Sequence, residues 1–310
     1  MDGKVYYLGL MFNTIAILGA GTMGQGLARL FVRNKCQVVL YDPFNEALSG
    51  AAAKLSDPSR PGSPQGNIRF TGDLAEAVGS ALLVIECAPE DLDVKKELYR
   101  RLGALVRPDA IVASNTSTFP LRTLAEGQSF AHRLLITHFF NPADIVPLVE
   151  IIVSAEMLPE VSERVAAFLR DCGKVPVVLK KDIKGFVANR LQAAVLREAC
   201  FLVGEGVVDP SQVDTVMMEG IGLRWALAGP FQISDFGGLD IWEKVMDNLA
   251  PDLDNGAQAP ALIREKVKQK QLGLKTGTGF FEYPDEEGKR QADAWLHKLK
   301  ALIESRNNRK

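Results

Sequence analysis

Thr14-Ile-Ala-Ile-Leu18, Gly19-Ala-Gly-Thr-Met-Gly24 and Gln37-Val-Val-Leu-Tyr41-Asp42 belong to one stretch, joined by an apolar-patterned run that ends at Arg33. The first five residues read as a strand buried on both faces. The glycines follow at once. Gly19 permits the tight turn out of the strand, Gly21 lets another group approach the backbone, and Gly24 lets the next helix lie close to the strand. The run to Arg33 is that helix. A second apolar strand follows and closes on Asp42, eighteen residues after Gly24.

The start of such a helix offers free N–H groups and a partial positive charge, which suits a pyrophosphate. A carboxylate at the end of the second strand accepts the hydroxyls of an adenosine ribose and repels a 2′-phosphate. The pattern therefore points to NAD rather than NADP. A glycine turn alone can be merely structural, but here strand, glycines, helix, second strand and terminal acid coincide. A flavin domain would bring a longer chain and further motifs, which are missing.

At 310 residues the chain suits two domains, each able to bury a core. A net charge of −2 advertises neither nucleic acid nor an anionic membrane as partner. Cys36, Cys87, Cys172 and Cys200 are scattered, without Cys-x-x-Cys or histidine clustering. They read as reduced thiols of a cytoplasmic protein, with no metal site. The first dozen residues lack a basic leader and are too short and broken for a signal or anchor; they are expected to be an extra strand or a disordered start.

After Asp42 a helix is expected over Asn45–Leu55, then a loop where three prolines and two glycines fall within residues 57–66. Ile68–Thr71 is a short strand, and Asp73 with Glu76 forms a capping box. Residues 81–86 are a strand, and residues 93–106 a helix with Val94, Leu98, Leu102 and Leu105 on its apolar face. Strands at 110–113, 133–137, 148–153 and 175–179 alternate with helices at 120–126 and 159–172. This alternation gives an α/β class, a Rossmann-type doubly wound, mostly parallel sheet. Beyond Ile183 helices dominate, at 185–204, 211–219, 239–249, 259–271 and 288–305. The expected division is residues 1–182 as the nucleotide-binding domain and 183–310 as an all-helical domain for substrate and dimerisation.

Polar groups fall at strand ends, where open parallel sheets bind ligands: Asp42, Glu90, Ser117 and His138. His138 is one of three histidines, with His132 and His297. Alone it could be structural. Glu150 sits among Leu148, Val149, Ile151 and Ile152, where a carboxylate is costly to bury unpaired. An imidazole is its natural partner, although strand alternation also allows Glu150 to face solvent.

Together these pieces resemble the L-3-hydroxyacyl-CoA dehydrogenase family over almost the whole chain. The motifs are Gly19-Ala-Gly-Thr-Met-Gly24, Ser114-Asn-Thr-Ser117, His138-Phe-Phe-Asn-Pro142 with Glu150 twelve residues on, Gly185-Phe-Val-Ala-Asn189-Arg-Leu191, Gly229-Pro-Phe231 and Lys275-Thr-Gly-Thr-Gly-Phe280. The resemblance implies His138 as the base on the 3-hydroxyl, Glu150 as its counter-charge, and Ser117 and Asn189 beside the reacting oxygen. It implies cofactor contacts for Gly19, Gly21, Met23, Gly24, Asp42, Glu90, Lys95, Asn115 and Lys275. The plainer alternatives are packing for Met23, a helix cap for Ser117, a solvated lysine for Lys95 and loop charge for Lys275. Asn189, expected in mid-helix where Asn is a poor former, favours a hydrogen-bonding role.

Two features depart from the acyl-CoA members. Residues 43–67 are shorter and proline-rich where those members carry a long helical hairpin. Pro147 stands before Leu148-Val-Glu150 where many carry a lysine. Relatives acting on gulonate, carnitine or a pyridine aldehyde share that proline. The leading expectation is an NAD-dependent 3-hydroxyacyl-CoA dehydrogenase of fatty acid metabolism. The rivals are the same chemistry on a substrate without CoA, and a non-catalytic protein like the lens crystallin relative. Apolar helical stretches such as residues 193–196 and 199–203 point to a homodimer.

Overall fold

The computed structural model describes residues 12–56, 67–154 and 157–307. The expected loop at 57–66 and the chain start before Phe12 lie outside them. Two compact units divide the chain, Met1–Asn189 and Arg190–Lys310.

The first unit is an eight-stranded sheet with the order β3-β2-β1-β4-β5-β6-β7-β8. The strands are β1 (Thr14–Leu18), β2 (Gln37–Tyr41), β3 (Ile68–Thr71), β4 (Leu83–Glu86), β5 (Ile111–Ser114), β6 (Leu134–Phe139), β7 (Leu148–Ile152) and β8 (Val175–Leu179). All neighbours are parallel except β6 and β7. The order of β1 to β6 is that of a doubly wound dinucleotide fold, whose switch point lies between β1 and β4. Alternate residues of β1 feed opposite cores: Ile15 and Ile17 pack on one face, Ala16 and Leu18 on the other. Helices α1 (Thr22–Arg33), α2 (Asn45–Leu55) and α6 (Pro159–Asp171) cover the first face. Helices α3 (Leu74–Val78), α4 (Leu92–Leu105) and α5 (Leu121–Ala125) cover the second.

Three local expectations change. Asp73 caps α3, its Oδ1 accepting from Ala75 N and Glu76 N. Glu76, however, accepts from Thr71 Oγ1 instead of reaching back to Asp73, whose N–H donates to that same threonine oxygen. The capping box therefore closes through Thr71. On α4 the buried side chains are Lys95, Tyr99 and Leu102, while Val94 and Leu105 are exposed. A buried carboxylate on β4, described below, draws Lys95 and Tyr99 inward beside Leu102 and leaves Val94 and Leu105 outside, while Leu98 is partly buried against the same core. The helix expected from Gly185 begins at Ala188, as α7 (Ala188–Gly204). Gly185 and Phe186 both take left-handed φ, 77° and 51°, which breaks the helix before it starts.

The second unit is helical, with Pro210–Thr215, Leu223–Trp225, Pro230–Gly237, Leu239–Leu249, Ala261–Lys268 and Asp285–Asn307. The helix expected at 211–219 passes into π-helical winding at Val216–Gly222. Pro230–Gly237 was not expected from the sequence, although Pro230 at the first helical position is its signal. Cys200 is the only buried apolar side chain among the described residues of this unit. No helix among the described residues is long and apolar enough to cross a membrane.

Candidate active site

The glycine turn is fixed by contacts that only glycine permits. Gly19 has a φ of 119°, and a Cβ there would lie 2.5 Å from the Cys87 carbonyl oxygen. A Cβ on Gly24 would lie 1.9 Å from the Gly19 carbonyl oxygen. Gly21 differs: a Cβ there would meet nothing within 4 Å. Steric fit to the protein does not require glycine at that position, so its openness is room for a ligand. Met23 is partly buried and packs on the first core face.

Asp42 ties the turn to the end of β2. Its Oδ2 accepts from Ala20 N at 2.9 Å and its Oδ1 from Phe44 N at 3.0 Å. Gly19 N donates to Tyr41 O at 2.7 Å. Around this junction lies a cleft of about 830 Å³, lined by Gly19, Gly21, Asp42, Phe44, Ala88 and by Val94 and Leu98 of α4. A dinucleotide fits these features. Open backbone at Gly21 and the N-terminus of α1 suit a pyrophosphate, Asp42 suits ribose hydroxyls, and apolar walls suit a base. Val94 thus forms part of a cleft wall, which explains why an apolar residue of α4 faces outward there.

A second cluster lies where β4 and β5 end. Glu86, fully buried, accepts from Ala88 N, Lys95 Nζ, Tyr99 Oη and Ser114 Oγ. Lys95 is equally buried and also reaches Glu90 Oε2 at 3.3 Å. Glu90 Oε1 accepts from the Thr116 and Thr118 hydroxyls and from Ser117 N and Thr118 N. Partial burial alone would raise the Glu90 pKa. The hydrogen bonds from Thr116 and Thr118, the Lys95 charge and the Ser117 N–H outweigh it and bring the carboxyl down to about 2. Asn115 Oδ1 accepts from Phe139 N at 3.0 Å and so joins the β5 turn to β6.

His138 and Glu150 are partners in the β6–β7 register. Nδ1 lies 2.8 Å from Glu150 Oε2, with the two residues 5% and 2% exposed. The alternation that left Glu150 free to face solvent fails because β7 is covered on both faces. Glu150 Oε1 accepts from Val187 N at 2.9 Å and Ala188 N at 3.0 Å, at the start of α7. The left-handed pair Gly185 and Phe186 delivers those N–H groups. Phe186 and Phe140 pack on the imidazole at centroid distances of 5.2 and 4.5 Å. The carboxylate is thereby held by three donors, and the imidazole by the carboxylate and two rings.

Asn189 lies in the first turn of α7, not in mid-helix, and its Nδ2 donates to Ser117 O at 3.4 Å. Ser117 does not cap α5, whose N-cap is Pro120 without a side-chain bond. The structure thus brings His138 to Glu150, and Ser117 to Asn189 and Glu90. Lys275 is exposed in the second unit, near the Gly273–Thr278 bridge. Sequence reasoning missed Glu86, Thr116, Thr118 and Phe186. Glu86 carried a readable signal, an acid closing an apolar strand just as Asp42 does. Among the described residues no three His, Cys, Asp or Glu side chains are grouped to hold a metal.

Comparison with known proteins places this geometry. Residues 14–183 match the family model "3-hydroxyacyl-CoA dehydrogenase, NAD binding domain", and residues 185–283 match its C-terminal domain. The chain is 38% identical over 301 residues to a 5-formyl-3-hydroxy-2-methylpyridine 4-carboxylate 5-dehydrogenase of Mesorhizobium japonicum, covering 94% of this chain and 97% of that one. A crystal structure of an enzyme so named, described as an NAD+ dependent dismutase, superposes with a TM-score of 0.86 at 37% identity, covering 96% of this chain and 98% of that one. A probable 3-hydroxybutyryl-CoA dehydrogenase of Deinococcus radiodurans is 33% identical, covering 86% of this chain and 99% of that one. The chain belongs to the 3-hydroxyacyl-CoA dehydrogenase family of NAD-dependent oxidoreductases.

Proposed function

We propose that the protein oxidises a carbinol, or runs the reverse reduction, with His138 and Glu150 as its acid–base pair. The observation that carries this reading is the 2.8 Å Nδ1–Oε2 contact, made by a carboxylate whose other oxygen is engaged by two backbone N–H groups. Bound NAD supplies the hydride acceptor. His138 Nε2 takes the hydroxyl proton. Glu150 keeps the imidazole oriented and offsets the charge it acquires. Ser117 and Asn189 hold the oxygen of the reacting carbon. Gly19, Gly21, Gly24, Asp42, Glu90 and Asn115 serve the cofactor, with Lys95 acting on Glu90.

For the substrate we favour a compact hydroxy acid or aldehyde without CoA. Support comes from Pro147 in place of a lysine, from the short segment after Asp42, and from the likeness to a pyridine-carboxylate dehydrogenase over nearly the full length of both chains. The second reading, a 3-hydroxyacyl-CoA, is supported by the family models and the Deinococcus relative. A panel of 3-hydroxyacyl-CoAs, free hydroxy acids and aromatic aldehyde acids, followed by NADH absorbance, separates them. Turnover only on thioesters overturns the first reading. No turnover on any of them favours the non-catalytic rival.

A further inference from the structure

Glu86 stands outside every role assigned above, yet its carboxylate accepts from four donors while fully buried. One oxygen accepts from Ala88 N at 2.7 Å and Lys95 Nζ at 2.7 Å. The other accepts from Tyr99 Oη at 2.8 Å and Ser114 Oγ at 2.6 Å. Glu86 and Lys95 are 0% and 1% exposed. Stability alone gives little reason for such a pair, since well-packed apolar side chains of similar volume often serve as well. What apolar residues cannot do is hold a charge in one place. The Lys95 ammonium, pinned from below by Glu86, also meets Glu90 Oε2 at 3.3 Å and Ala88 O at 3.4 Å. Glu90 in turn gathers the donors of the 116–118 turn on its Oε1, and Ser117 O accepts from Asn189.

We propose that Glu86 is a positioning residue for the reaction: through Lys95 it fixes Glu90, and through Glu90 it fixes the turn that presents Ser117. This rests on the reading of Ser117 as a group that meets the reacting oxygen. Glu86 also sets Ala88, a wall residue of the nucleotide cleft.

The test compares Glu86→Gln, Lys95→Met and their double variant in melting temperature, NADH affinity by fluorescence, and kcat and KM on the best substrate of the panel. Each single variant takes from one buried ion its nearest counter-charge, so its melting temperature should fall. The double variant strands none and should recover most of that loss. If Glu86 positions the turn, kcat stays about tenfold low in the double variant although its stability returns. If Glu86 is only structural, kcat returns with stability, and that outcome overturns the proposal. Should a single variant fail to fold, the double variant carries the test: turnover within about threefold of the unmutated protein refutes it. Unmutated protein that binds no NADH and turns over nothing refutes the functional reading, and the proposal with it.

Discussion

His138 and Glu150 are directly opposed across the antiparallel pair β6–β7, and this register sets Nδ1 2.8 Å from Oε2. A one-residue slip would turn either side chain to the other face of the sheet. The single antiparallel pairing in an otherwise parallel sheet therefore has a chemical consequence, because it lets a strand running back from the site return a carboxylate to the histidine.

Glu150 serves two partners, and Glu150→Gln should expose both roles. The amide keeps the shape but loses the charge that offsets a protonated imidazole, so turnover should fall on the order of 10- to 100-fold. It also weakens the bonds to Val187 and Ala188 at the start of α7, costing about 1–2 kcal/mol. Steady-state kinetics and thermal melting on one preparation check the two losses. A loss of stability without loss of turnover would leave Glu150 only its role at the helix start.

Gly21 and Gly24 should separate ligand space from fold space. Gly24→Ala places a Cβ against the backbone oxygen of Gly19, so it should destabilise the protein by about 3 kcal/mol or more. Gly21→Ala meets no protein atom within 4 Å, so it should fold normally and bind NADH at least about tenfold more weakly. Normal NADH affinity in Gly21→Ala would remove that backbone from the cofactor site.

Lys174 gives a pH prediction. It is buried, with Nζ donating to Ala143 O at 2.6 Å and Val146 O at 2.8 Å. Burial is the main cause that brings its pKa from 10.5 down to about 8. Between those values the unfolded chain holds the proton that the folded chain has released, so stability should rise with pH from about 8 to 10.5. The contribution is complete above 10.5 and is lost as pH falls through 8. Denaturant unfolding across that range should show a smaller rise, or a steeper fall, in Lys174→Met than in the unmutated protein. Parallel curves would contradict it.

The strands were legible in the sequence because each is a short apolar run ended by a turn, and the glycine turn because its spacing leaves few alternatives. Glu150 was legible through its cost, being a carboxylate among Leu, Val and Ile. The buried face of α4 was legible only in part, for the converse reason. Counting apolar residues rightly selects Leu102, buried in the core, and Leu98, packed against it. It also selects Val94 and Leu105, which are exposed, and it passes over Lys95 and Tyr99, which a buried Glu86 on a neighbouring strand makes inward residues. Spacing along one helix carries no record of a charge on another element. Asn189 was placed in mid-helix because nothing in Gly185-Phe-Val signals two successive left-handed residues.

The helical unit should require a second copy. Among its described residues only Cys200 is a buried apolar side chain, while Phe231, Leu227 and Phe236 are 88%, 78% and 73% exposed. So much apolar surface calls for a cover, and two-fold association is the commonest way to supply one. Light scattering at micromolar concentration should give about twice the single-chain mass of 33.8 kDa. A stable species at the single-chain mass would refute it.

The most direct measurement is turnover of His138→Gln beside its NADH affinity and melting temperature. Glutamine keeps a donor for Glu150 and much of the packing against Phe140 and Phe186, but it cannot take a proton. If His138 is the base, the variant folds, binds NADH as the unmutated protein does, and loses on the order of 10² to 10⁴ in kcat. A folded, NADH-binding variant that keeps more than about a tenth of the activity would take His138 out of the chemistry.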